Sequence, residues 1–267
     1  SFEFNTRVSE IIHDKGVVTG VALKDGRIIP ATTVVANADA GMIYSSLIKN
    51  PPASVRRAAR SIAKMEPSLA GFSLLLGLRP SDEPKLEHHT VLFPENYDQE
   101  FESIFSKKVP VDDPTIYICA PHDVTMVKKV GHEAWFVLVN APRHGVDAFD
   151  WSDRKFAEQY AQKIIDRIES HGIQIRDRLE LLEIRTPADL EASVLAPGGS
   201  IYGTSSNGSQ SAFNRAKNRS PLKGLYCVGG SAHPGGGLPL VGLSAEIVAQ
   251  AIITEDGGGQ LSSLDRH

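Results

Sequence analysis

The sequence has little cysteine: Cys119 and Cys227 are the only two in 267 residues, far apart and each inside an apolar run. With no C-x-x-C spacing they exclude a disulfide framework and a cysteine-rich zinc site, and read as small buried hydrophobes of a protein kept in a reducing cytoplasm. A basic stripe is also missing. The net charge is −4 with both signs interspersed, so a nucleic-acid partner is not expected. No apolar run reaches the roughly 18–20 residues that span a bilayer, and the first residues lack a charged-then-apolar signal pattern, so peripheral membrane contact is the most that is expected. There is no internal repeat, no Walker loop, no G-x-S-x-G nucleophile turn and no G-x-G-x-x-G. The nine histidines are scattered. His88 and His89 would point to opposite faces of a strand, so no metal site is expected there or elsewhere. Asp112 and Asp113, bracketed by Pro110 and Pro114, read as a solvated turn rather than a calcium loop.

What is present is a chain 41% hydrophobic and 22% charged, long enough for a buried core and one large or two small domains. Val8 to Ile12, a turn at Asp14-Lys15-Gly16, the alternation Val17, Thr19, Val21, Leu23, a second turn at Asp25-Gly26 and then Ile28-Ile29 predict a small antiparallel meander. Val34 to Ala36 predicts a short buried strand ending at Asn37 and Asp39. Helical spacing of Val55, Ala58, Ala59, Ile62 and Met65 follows, then a strand-length apolar run from Ser68 to Leu78. Three further strands start near His88, Thr115 and Ala134, and Pro- and Asp-rich loops between them suit a mainly antiparallel sheet. A helix is predicted from about Ser152 to Ser170, with Phe156, Tyr160, Ile164 and Ile168 along its stripe and His171-Gly172 as its stop. Leu179 to Ile184 reads as a strand, and Thr186-Pro187 with Asp189 as the capped start of a short helix. The polar, glycine-rich stretch from Ala196 to Pro221 reads as a surface loop or as a cleft wall or lid.

The most informative stretch is "GLYCVGGSAHPGGGLPLVGLSAEIVAQA", from Gly224 to Ala251. A buried strand, Leu225 to Val228, runs into glycines, and a helix follows from Leu240 to Ile253 with Leu243, Ile247 and Ala251 along one stripe. At such a crossing the helix N-terminal amides carry partial positive charge, and glycines let a ligand lie against backbone. The spacing is equally compatible with a set of tight turns.

This stretch, preceded by "AFNRAKNRSP", resembles the C-terminal flavin-binding signature of the phytoene desaturase family of carotenoid-forming, FAD-dependent oxidoreductases. "EFNTRVSEIIHDKGVVTGVALKDGRIIPATTVVANADAG", "HHTVLFPENYDQEFESIF", "DPTIYICAPH" and "TPADLEASVLAPGGSIYG" are similar to further family segments in the expected order. The resemblance implies a mixed α/β (α+β) fold: a partial, Rossmann-type FAD-binding half-domain from residues 1–40 and 224–254, a substrate-binding domain over 41–223 built on a mainly antiparallel sheet with flanking helices, and a flexible tail over 255–267. It implies an enzyme that takes hydrogen from a long, lipophilic isoprenoid or carotenoid and passes hydride to flavin. For FAD it implies contacts at Val8, against the adenine, and at Gly229, Gly230, Ser231, Gly236, Gly237, Leu238, Pro239, Leu240 and Val241. His233 stands in the same loop, with bonding to neighbouring backbone the favoured reading, and no side chain is assigned as the catalytic base. Family members open with the G-x-G-x-x-G that binds the pyrophosphate, which is missing here. The chain is therefore expected to be a C-terminal piece, excised rather than completed by a second chain, and to retain FAD poorly on its own. Another FAD-dependent oxidoreductase of the same superfamily and a non-catalytic isoprenoid-binding domain are the competing expectations.

Overall fold

The computed structural model describes residues 1–83, 85–145, 148–205 and 215–256. Residues 206–214 of the polar stretch and 257–267 of the expected tail lie outside them. In chain order the elements are β1 (Val8–Asp14), β2 (Val17–Leu23), β3 (Ile28–Pro30), β4 (Val34–Ala36), α1 (Ala40–Met42), which continues as a π-helical turn over Ile43–Leu47, α2 (Ala53–Ala63) and β5 (Ala70–Leu78). They continue with β6 (His89–Leu92), α3 (Tyr97–Phe101), β7 (Ile116–Cys119), β8 (Glu133–Ala141), α4 (Arg154–Glu169), β9 (Leu179–Arg185), α5 (Pro187–Val194), β10 (Leu225–Cys227) and α6 (Leu238–Asp256). Two compact units result, Ser1–Ser68 with Tyr202–His267, and Leu69–Ile201.

In the first unit β1, β2 and β3 form an antiparallel meander. Asp14 pairs with Val17 across Lys15 and Gly16, both at positive φ, which is the two-residue hairpin turn whose twist matches the strands. The face of β2 differs from the alternation read in the sequence. Val18 and Leu23 are buried while Val17 is exposed, and the register of β1 against β2 shifts twice, which breaks a strict period of two. Gly20 lies so close to β3 that a Cβ there would stand 2.5 Å from the Ile29 carbonyl oxygen. The two ends of the chain meet where β4 and β10 pair in parallel, Val34 beside Leu225 and Ala36 beside Cys227.

The unit is larger than residues 1–40 and 224–254, for a packing reason. Val55 is fully buried, and Ala58, Ala59 and Ile62 of α2 pack against the core of Ile11, Val18, Ile43, Tyr44, Leu222, Leu225 and Cys227. Ser68 and Tyr202 are tied as well, since the Tyr202 amide donates to Ser68 Oγ at 3.1 Å. α6 buries Ala251 of the expected stripe, and Ser244 and Val248 beside it, while Ile247 is half-buried and Leu243 exposed. The last turn of α6 is held by Glu255, which accepts from the Tyr226 hydroxyl and pairs with Arg219. By length and composition α6 is long and apolar enough to cross a membrane, a correction to the reading of apolar runs, which its interspersed Ser and Gly conceal.

The second unit is one antiparallel sheet in the order β6-β7-β8-β5-β9. One face carries Phe72, Leu74, Leu76, Ile116, Ile118, Trp135, Val137 and Val139, all buried against α4. Ala157, Tyr160, Ala161, Ile164, Ile165 and Ile168 recur along α4 at three- and four-residue steps, so its apolar stripe is what faces the sheet. Asp153 caps the helix by accepting from the Phe156 amide at 3.1 Å. Thr186 and Asp189 form a reciprocal capping box at the start of α5.

Candidate functional site

The glycine loop between β10 and α6 is built by residues far apart in sequence. Ser231 Oγ accepts from the Ala40 amide at 2.9 Å, which fastens the loop to the Asn37-Ala38-Asp39 segment. Asp39 caps α1 through the Met42 amide at 3.3 Å, and burial raises its carboxyl above the usual range. On the other side the loop meets Tyr202 and Gly203. A Cβ on Gly203 would stand 2.6 Å from Ser231 Cβ, and one on Gly236 would stand 2.3 Å from the Tyr202 ring.

Three residues that the sequence reading did not single out hold this arrangement. Arg215 is buried; its Nη1 donates to the carbonyls of Tyr202 at 2.7 Å and Gly230 at 3.1 Å, and desolvation lowers its pKa. Asn218 Nδ2 reaches the Cys227 carbonyl at 3.1 Å, the His233 carbonyl at 2.8 Å and Ser244 Oγ at 3.0 Å. Ser244 Oγ also accepts from the Gly229 amide at 3.3 Å. This is why a serine occupies the buried stripe of α6. His233 is exposed, and what fixes it is its backbone, whose amide donates to the Ala216 carbonyl at 2.8 Å.

The predicted cofactor residues separate by cause. Gly229 is glycine because Asn37 fills the space, a Cβ there standing 2.1 Å from Asn37 Oδ1. Gly236 is glycine because of Tyr202. Gly230 has more room, its nearest neighbour being the Gly236 Cα at 3.5 Å. Gly237 shares a positive φ with Gly229, +95° against +101°, but differs from all of them in that a Cβ would meet nothing within 4 Å. It opens onto the start of α6, where Leu238 is 89% exposed. The Val241 amide is taken by the Gly237 carbonyl at 2.9 Å, and Pro239 has no amide. The outward donors of this first turn are therefore those of Leu238 and Leu240. Gly229 through Val241 lie together in this loop and helix start, whereas Val8 lies on β1 in the separate three-stranded sheet, paired with Leu23.

In the second unit the face of the sheet turned away from α4 carries two cross-strand rows. One runs His89, Cys119, Phe136, Leu75, Glu183, and the next Val91, Tyr117, Leu138, Ser73, Arg185. Val91, Phe136 and Leu181, at 43%, 36% and 57%, are exposed. The first row is apolar in the middle and polar at its two ends, His89 and Glu183, while the edge strands also carry the apolar Val91 and Leu181. His88 precedes β6 rather than sitting in it, so alternation does not separate it from His89. The two rings stack with centroids 4.3 Å apart, contrary to the opposite-faces reading.

No protein-family model matches the chain. It is 34% identical over 248 residues to a hydroxyneurosporene desaturase of Rubrivivax gelatinosus, covering 91% of this chain and 46% of that protein. It is 34% identical over 258 residues to a 1-hydroxycarotenoid 3,4-desaturase of Flavobacterium sp., covering 94% of this chain and 50% of that protein. Among solved structures, an oxidoreductase from Methanosarcina mazei shares the fold with TM-score 0.59 and 16% identity, over 92% of this chain and 49% of that one. The chain is thus a homologue of the carotenoid desaturases, and it spans about half the length of the relatives it matches.

Proposed function

We propose that this chain is the C-terminal part of a flavin-dependent carotenoid desaturase, in which the first unit helps hold FAD and the second binds a long isoprenoid. The observation that carries the reading is the 34% identity to two carotenoid desaturases over more than nine-tenths of this chain. The loop agrees with it. Gly237 leaves open space beside the helix start, and the Leu238 and Leu240 amides there suit an electron-rich ring edge. Gly229, Gly230, Ser231 and Gly236 shape that cradle from behind, Arg215 and Asn218 fix it, and Val8 belongs to this reading only through the resemblance. Bound flavin supplies the hydride acceptor for the dehydrogenation.

The chain's own residues position and shield. The apolar strip of Val91, Phe136, Leu138 and Leu75 takes a hydrocarbon by burying it from water, at about 25 cal/mol per Å² of apolar surface. His89 and Glu183, at the two ends of the first row, suit a polyene with a hydroxylated end, and the names of both relatives point to such substrates. The test is to express the reading frame at the length of its relatives in a host accumulating an acyclic hydroxycarotenoid. The expected product absorbs at longer wavelength, because each new double bond extends the conjugated system. Unchanged pigment alongside folded, flavin-loaded protein would contradict the reading.

A further inference from the structure

The edge of the five-stranded sheet gathers three side chains of metal-ligating type. β6 pairs with β7 so that His89 lies directly across from Cys119, and His88, just before β6, stacks on His89. One ligand atom from each of His88, His89 and Cys119 lies within 4.8 Å of the other two, and among the described residues they are the one group of three that does so. Tyr117 stands two residues before Cys119 on the same face, its hydroxyl 2.8 Å from His89 Nδ1. A hydrogen bond of that kind fixes the tautomer and ring orientation of a metal-bound imidazole.

We propose that His88, His89 and Cys119 bind a zinc ion at the β6–β7 edge, with Tyr117 orienting His89. Two imidazoles and a thiolate are the donor set of a borderline-soft cation, and exclude magnesium or calcium, which take oxygen ligands. Bonds of about 2.0–2.3 Å in a tetrahedral site put ligand atoms about 3.3–3.8 Å apart. Closing from 4.8 Å takes side-chain rotation only, since both histidines are exposed. Three protein ligands leave a fourth position for water. The site is independent of the flavin reading, because neither its ligands nor its test involves flavin.

The test uses the untagged chain, zinc sulfate in calorimetry, cobalt(II) as an optical probe and a thiol-labelling reagent. The expected result is one zinc per chain, a thiolate-to-cobalt charge-transfer band, and labelling of Cys119 slowed about tenfold or more by zinc. His88→Ala with His89→Ala, both at exposed positions that leave the core intact, should weaken zinc binding about 100-fold or more and abolish the protection. Tyr117→Phe should weaken it by about 10–100-fold. Equal zinc binding by the wild type and the double variant, or a cobalt spectrum without the thiolate band, would overturn the proposal.

Discussion

At the scale of single residues, glycines that look alike in sequence differ in what forbids a side chain. Gly229 and Gly236 are pressed by Asn37 and Tyr202, whereas Gly237 faces open space at φ +95°. The cluster was legible as a strand-to-helix crossing, but not which glycine faces the protein and which faces outward, because Tyr202 and Asn37 come from distant parts of the chain. The same distance hid Arg215, Asn218 and Ser244. The two cysteines were read as buried hydrophobes; Cys227 is buried, while Cys119 is half-buried. Burial pushes the Cys227 thiol up to about 11 from 9.0. The folded thiol therefore keeps its proton where the unfolded one has lost it, so this contribution is fully present below about pH 9 and is lost as pH rises through 11. The cost amounts to about 3 kcal/mol. Urea denaturation of wild type and Cys227→Ala at pH 8 and pH 11 measures it. The wild type should lose more stability than the variant across that interval, and parallel losses would show that the thiol is not what titrates.

At the scale of elements, periodicity located most strands and helices. The four-residue step of Tyr160, Ile164 and Ile168 marks the face of α4, and Thr186-Pro187 with Asp189 marks a real cap. It placed Leu23 of β2 and Ala251 of α6 on the buried side but missed Val18, Ser244 and Val248, where β-bulges and a hydrogen-bonding serine override the hydrophobic count. Asn218 links the parts of the β10–loop–α6 unit, since its amide reaches β10, the loop and the helix together. Asn218→Ala should destabilise the chain by about 1–3 kcal/mol, because the buried Cys227 carbonyl and Ser244 hydroxyl lose a donor. Hydrogen exchange should show the opening confined first to the Gly229 and Ala232 amides. A change in melting temperature under 1 °C would refute this assignment.

At the scale of the whole molecule, the sequence resemblance carried the family relation. Domain limits were less legible. The sequence reading closed the first segment at residue 40, while α2 and residues 202–205 and 215–223 pack with the ends of the chain, through contacts no local pattern encodes. Whether the loop at Gly237 lies against flavin, as proposed, is tested by one matched comparison in the protein at the length of its relatives. Gly26, in the β2–β3 hairpin, has φ +92° and likewise nothing within 4 Å of a Cβ. Gly26→Val and Gly237→Val therefore carry similar backbone strain, about 1–3 kcal/mol each. The measurement is bound flavin per folded chain, with the melting temperature taken alongside. Similar melting temperatures are expected for the two variants, with a wild-type flavin ratio in Gly26→Val and little or none in Gly237→Val. Full flavin in both variants would contradict the proposal and leave Gly237 as an ordinary turn.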